Sequence, residues 1–172
     1  ELTNNTTPTI EGTAEAGSTV ELFNGDTSLG TATAGSDGVF SITSSQLAAG
    51  DYSLTVTATD EAGNTSSAST AFALTIDTTA PDAPVITTTT TTTNVTTPTI
   101  EGTAEAGSTV ELFNGDTSLG TATAGSDGSF SITSSQLADN IYTLTVTSTD
   151  AAGNESACLL YTSPSPRDDV IS

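Results

Sequence analysis

The side chains of this sequence that could do chemistry are almost all carboxylates. Asp and Glu number 21 against a single Arg, with no Lys and no His, for a formal net charge of −20. Nucleophilic catalysis of the Ser–His or Cys–His kind needs an imidazole or amine to take a proton, and the chain has neither. Zinc sites built on His or several Cys fall on the same count, since Cys158 is the one cysteine. Nucleic acid is not an expected partner, because phosphates are held by Lys and Arg. A carboxylate pair suited to glycoside hydrolysis stays open in principle. Any such pair inside the repeated segment described next would occur twice, however, and the chain is read as non-enzymatic. What carboxylates can do here is hold a hard divalent cation. Calcium takes roughly six to eight oxygens from Asp, Glu, Asn, backbone carbonyls and water.

The elements that must position these oxygens come in two copies. Thr6–Gly38 recurs letter for letter as Thr96–Gly128, an offset of 90 residues. After Val39 against Ser129, the match resumes as FSITSSQLA at Phe40–Ala48 and Phe130–Ala138. A repeat of this length sets the unit to be explained. It divides the 172 residues into a first repeat at 1–77, a proline-stiffened linker at 78–83, a second repeat at 84–157 and a non-homologous tail at 158–172.

Each repeat reads as short strands. Thr19–Phe23 turns Val20 and Leu22 to one face with Glu21 on the other, the alternation of a half-buried strand. Asn24–Gly25–Asp26 signals a hairpin, with a type I′ turn expected for Asn-Gly. Tyr52, Leu54 and Val56 share one face of Tyr52–Thr59, and Phe72, Leu74 and Ile76 are expected inward on Ala71–Asp77. Turn residues separate these segments and nothing has helical period, so each repeat is an all-β, antiparallel β-sandwich. Tyr52 and Tyr142, each at the start of a strand after a long loop, are placed like a tyrosine corner.

Two departures are expected at the ends. The first repeat has no counterpart of PDAPVITTTTTTT, whose Thr87–Thr93 run is read as an extended lead-in, so its first strand should be lacking. The second repeat carries YTSPSPR at Tyr161–Arg167 in place of AFALTID; prolines cannot donate to a ladder, so its last strand should be lost. The tail CLLYTSPSPRD holds the only Cys and the only Arg, and it resembles sequencing-adapter read-through. No apolar run is long enough to span a bilayer, and no signal peptide is apparent at the N-terminus.

If strands alternate up and down, Glu15 and the loop Asp60–Asn64 lie at one pole of the first repeat. The linker leaves from the other pole and enters the second repeat beside the matching loops. Asp77 and Asp82 should therefore meet Glu105, Asp150 and Asn154, where a calcium ion would offset their repulsion. Glu15, Asp60 and Asn64 would form half of such a site. The alternative is that these are exposed turn residues, which is the reading for Asp26, Asp116, Asp37 and Asp127.

GTAEAGSTVELFNG, SDGxFSITSSQLA, YxLTVTxTDxAGN and IDTTAPDAP resemble the bacterial immunoglobulin-like repeats of very large surface and biofilm adhesins, including RTX-type ones. The resemblance covers residues 6–157. It implies two tandem immunoglobulin-like domains forming an extracellular spacer at the bacterial cell surface, without membrane insertion. It implies neighbouring repeats and calcium as partners and an unidentified receptor for the parent protein. The linker aspartates and the acidic loop of the next domain are the ligands it implies, matching Asp77, Asp82, Glu105 and Asp150. A carbohydrate- or receptor-binding module, or an accessory module of a secreted hydrolase, are the alternatives; a chain without Trp offers little aromatic platform for the former.

Overall fold

A computed structural model describes residues 1–89 and 93–163. The chain divides into two compact units, Glu1–Thr78 and Thr79–Ser172. Among the described residues every regular element is a strand, and no helix is long and apolar enough to cross a membrane.

Unit one contains β1 (Leu2–Thr3), β2 (Thr9–Thr13), β3 (Thr19–Asn24), β4 (Thr27–Thr33), β5 (Val39–Thr43), β6 (Gly50–Thr59) and β7 (Phe72–Ile76). They form a sheet in the order β1-β7-β6-β3-β4 and a second pair, β2-β5. All neighbours are antiparallel except β1, which runs parallel to β7. Val20, Leu22, Leu54, Leu74 and Ile76 from the larger sheet meet Phe40 and Ile42 of β5 in one core. These are the inward positions that period-two alternation picks out. Phe72 is the exception: it lies 38% exposed.

Unit two contains β8 (Val85–Ile86), β9 (Thr99–Thr103), β10 (Thr109–Asn114), β11 (Thr117–Thr123), β12 (Ser129–Thr133), β13 (Tyr142–Thr149) and β14 (Leu159–Ser163). Its sheets run β11-β10-β13-β14 and β12-β9-β8. The core repeats that of unit one, with Val110, Leu112, Phe130, Ile132, Leu144 and Val146.

The lead-in strand is β8, Val85–Ile86, just ahead of the Thr87–Thr93 run expected to form it; of that run, Thr87 and Thr88 donate their N–H groups to the carbonyl of Glu101 at 2.9 and 3.2 Å. Thr90–Thr92 lie outside the described residues. Unit one has no counterpart of β8, as expected; β1 instead adds a short strand on the other sheet.

The expected loss of the last strand is corrected. β14 pairs antiparallel with β13 over Leu159–Ser163. It does so one residue out of step with unit one: Tyr52 faces Leu74, whereas Tyr142 faces Ser163 and not residue 164. The paired residues are Leu159–Ser163, which precede the prolines in the chain. The prolines themselves lie outside the described residues.

The hairpin at Asn24–Thr27 forms as expected, but its turn is different. Gly25 has φ 59° and no non-glycine residue has positive φ, which places the glycine at the first central position of a type II′ pattern. The tyrosine corners are present: Tyr52 donates its hydroxyl to the carbonyl of Ala48 at 2.9 Å, and Tyr142 to Ala138 at 3.0 Å.

Candidate metal centre

The acidic loops are built around one aspartate each. In unit one, Asp60 directly follows the strand β6 and the chain reverses through Gly63, whose φ is 88°. Asn64 donates its backbone N–H to Oδ1 of Asp60 at 2.8 Å and its side-chain amide to Oδ2 at 2.7 Å. In unit two, Oδ1 of Asp150 accepts from the backbone N–H groups of Ala152, Gly153 and Asn154 at 2.8, 2.8 and 2.9 Å. Its Oδ2 accepts the Asn154 amide at 2.8 Å.

These bonds favour the charged carboxylate. The Asn64 amide, then the loop N–H groups, hold Asp60 below the usual carboxylate value of 3.8. For Asp150 desolvation is the largest influence and pushes upward, but the Asn154 amide and the three loop N–H groups together outweigh it and hold the carboxyl low. Asp127 is also held low, by the hydroxyl and then the N–H of Ser129. The turn reading of Asp37 and Asp127 fits this geometry, since each accepts the N–H two residues on, from Val39 at 3.1 Å and from Ser129 at 3.0 Å.

Glu15 and Glu105 stand on the EAGS turns and are exposed. Their carbonyls accept from the N–H groups of Ser18 and Ser108 at 3.0 and 3.1 Å, and from both serine hydroxyls at 2.7 Å. Asp77 closes unit one, half-buried, with its N–H donating to the carbonyl of Thr3 at 2.9 Å.

Asp82 belongs to unit two and comes close to its acidic loop. Its carbonyl accepts a hydrogen bond from Ser148 Oγ at 3.4 Å, two residues before Asp150. Pro81 and Pro84 on either side are buried. In unit two Ser148, Ala152, Asn154 and Ser156 are at most 9% exposed. Their counterparts Ala58, Ala62, Asn64 and Ser66 in unit one are half-buried or exposed.

Asp150 and Asn154 are thus brought together, as are Asp60 and Asn64, and Asp82 is brought to the strand end leading into Asp150. Within either unit, among the described residues, no three His, Cys, Asp or Glu side chains gather as a metal-holding group. The role that the reading of the sequence missed is that of the asparagines, which serve the aspartates as donors. The signal was present, since Asp-x-x-Gly-Asn is a loop in which Asp caps the backbone of its own turn.

Several solved structures align with the chain. A structure of fibronectin(III)-like modules of CbhA from Clostridium thermocellum aligns over 90% of this chain and 83% of its own, at 17% identity and a TM-score of 0.56. The BSP domain of a biofilm-associated protein aligns over 97% of this chain at 24% identity and a TM-score of 0.42, and this chain spans 29% of it. The D0-D1 domain of intimin aligns over 92% of both chains, at 14% identity and a TM-score of 0.30. No curated protein matches the chain in sequence. The bacterial Ig-like domain family matches twice, over residues 1–78 and 85–160. With both repeats accounted for, the chain belongs to the bacterial Ig-like domain family.

Proposed function

We propose that the chain is a pair of non-catalytic spacer repeats from an extracellular bacterial adhesin, with calcium held where the first repeat hands over to the second. Family membership and near-identical tandem repetition support the spacer role, because a stalk gains length from copies whereas an enzyme gains nothing from a duplicated site. A net charge of −20 with no Lys or His also suits a chain that meets divalent cations rather than phosphates.

The observation that carries the calcium reading is the Asp82 carbonyl beside Ser148. It brings one main-chain oxygen of the linker to Ser148, two residues before Asp150. The donor set fits a hard cation: Asp77, Asp82, Glu105, Asp150 and Asn154 offer oxygen and no thiol or imidazole. Asp150 has its Oδ1 engaged by three N–H groups and its Oδ2 by one donor, so Oδ2 is the atom with room for an ion. Carbonyls and water would complete the coordination. Glu15, Asp60 and Asn64 would offer the equivalent half-site in the first repeat. The ion would neutralise the junction and restrict hinge freedom, at an affinity of about 10⁻⁴–10⁻³ M, usual for extracellular modules.

Small-angle scattering in millimolar calcium and in chelator tests this. A longer, less variable particle in calcium is expected, and Asp82→Ala with Asp150→Ala should abolish the difference. An unchanged maximum dimension and unchanged inter-unit flexibility would refute calcium stiffening.

A further inference from the structure

An asparagine amide can accept a sugar where the tripeptide Asn-x-Thr/Ser stands on a surface loop. The chain carries this tripeptide at Asn64, Asn94 and Asn154, and in an overlapping pair at Asn4 and Asn5. An amide nitrogen is a weak nucleophile, so it must reach a transferase exposed and without a competing hydrogen bond. The hydroxyl two residues on, which completes the acceptor motif, must be accessible as well. The fold sorts the later three tripeptides by these requirements.

Asn154-Glu155-Ser156 fails on every count. Asn154 is 9% exposed and gives its side-chain amide to Asp150 Oδ2 at 2.8 Å. Ser156 is buried; its Oγ accepts the N–H of Ser148 at 2.9 Å and donates to the Ala157 carbonyl at 3.0 Å. Asn64-Thr65-Ser66 is open to water but committed. Asn64 gives its amide to Asp60 Oδ2 at 2.7 Å. Ser66 Oγ accepts the N–H of Ala58 at 3.0 Å and donates to the Ser67 carbonyl at 2.9 Å.

Asn94-Val95-Thr96 is different. All three residues are exposed, Val95 to 54%. The loop is nevertheless held in place, through its main chain. The N–H of Val95 donates to Thr93 Oγ1 at 3.0 Å, the Thr96 carbonyl accepts the N–H of Leu137 at 2.7 Å, and the Pro98 carbonyl accepts that of Ser134 at 2.9 Å. These anchors leave the Asn94 amide and the Thr96 hydroxyl without a hydrogen-bond partner among the described residues.

We propose that Asn94 is an acceptor site for N-linked glycosylation from a nucleotide-activated sugar. The amide nitrogen attacks the anomeric carbon, the bond from that carbon to the phosphate oxygen breaks, and the nucleoside diphosphate leaves with the electron pair. One amide proton passes to a base of the transferase. Thr96 supplies the hydroxyl of the acceptor motif. The inference stands whether or not calcium binds at the junction, and whether or not the chain is a spacer.

The test incubates the folded full chain with UDP-glucose and a soluble N-glycosyltransferase that acts on Asn-x-Ser/Thr. Digestion after Glu and Asp, followed by mass spectrometry, reads the occupancy of each asparagine. One hexose is expected on Asn94, with Asn64 and Asn154 labelled about tenfold less or weaker still, because each amide must first leave a carboxylate. Synthetic peptides spanning the three tripeptides should be labelled comparably, which assigns the sorting to the fold. Thr96→Ala should remove the label from Asn94 and Thr96→Ser should retain it, both with the melting temperature of the chain unchanged. An unlabelled Asn94 in the folded chain, equal occupancy of the three asparagines there, or full labelling of Asn94 in Thr96→Ala would overturn the proposal.

Discussion

Asn154 holds Asp150 at two points, by its backbone N–H on Oδ1 at 2.9 Å and by its side-chain amide on Oδ2 at 2.8 Å. The same clasp joins Asn64 to Asp60. Unit two keeps its asparagine at 9% exposure, whereas Asn64 is exposed. Identical chemistry therefore operates in two different degrees of contact with water.

Replacing Asp150 with Ala should cost unit two about 1–3 kcal/mol, because a largely buried amide and three loop N–H groups lose their shared acceptor. Asp60→Ala should cost unit one less, since water can replace the carboxylate at an exposed site. Denaturant unfolding would show this as a lower midpoint for Asp150→Ala with little change in slope.

The same carboxylates give a pH signature. Asp60, Asp127 and Asp150 are held below the usual value of 3.8 in the folded chain. A group depressed on folding contributes its stability in full above its unfolded pKa and loses it as pH falls through the folded one. The melting gap between the wild type and Asp150→Ala should therefore stay constant above about pH 5 and close as the pH drops through and below 3.8. Relief of the −20 charge moves both proteins together over the same range, so the gap is the quantity to measure.

Gly102 and Gly12 should respond differently to an added methyl group. At Gly102 the new Cβ meets the Val85 carbonyl at 2.3 Å as well as the Phe130 ring at 2.6 Å; at Gly12 it meets the Phe40 ring at 2.6 Å. Both substitutions displace a ring, but Gly102→Ala must also push away backbone. Overpacking of this kind costs about 1–3 kcal/mol. Faster amide exchange at Thr87 and Thr88 in Gly102→Ala would show that β8 has been lifted. Unchanged exchange there would contradict this account of the glycine.

Much of this architecture is legible in the sequence because two strong periodicities coincide. The 90-residue repeat defines the unit, and alternation at Val20, Leu22, Leu54, Leu74 and Ile76 defines its core. Features that depend on register are harder to read. Tyr161–Arg167 looks unfit for a strand when aligned with Ala71–Asp77, yet a one-residue slip lets Leu159–Ser163 pair ahead of the prolines. Phe72 has the right parity for the core but sits at the margin of the sandwich, 38% exposed. At the candidate site, the clustering of Asp150 with Asn154 follows from their four-residue spacing. The contact of Asp82 with Ser148 spans 66 positions and depends on how the linker folds back, which no local pattern encodes.

The duplicated strands also bear on how the chain reaches its native state. Thr9–Thr13 and Thr99–Thr103 spell the same word, and their partners Val39–Thr43 and Ser129–Thr133 differ at one letter. Either partner can satisfy either strand, so a whole chain diluted from denaturant can enter crossed pairings that are locally indistinguishable from correct ones. During synthesis the ambiguity is smaller, because the first repeat can close before its double leaves the ribosome. The direction of translation then does the sorting that the side chains, being alike, cannot do.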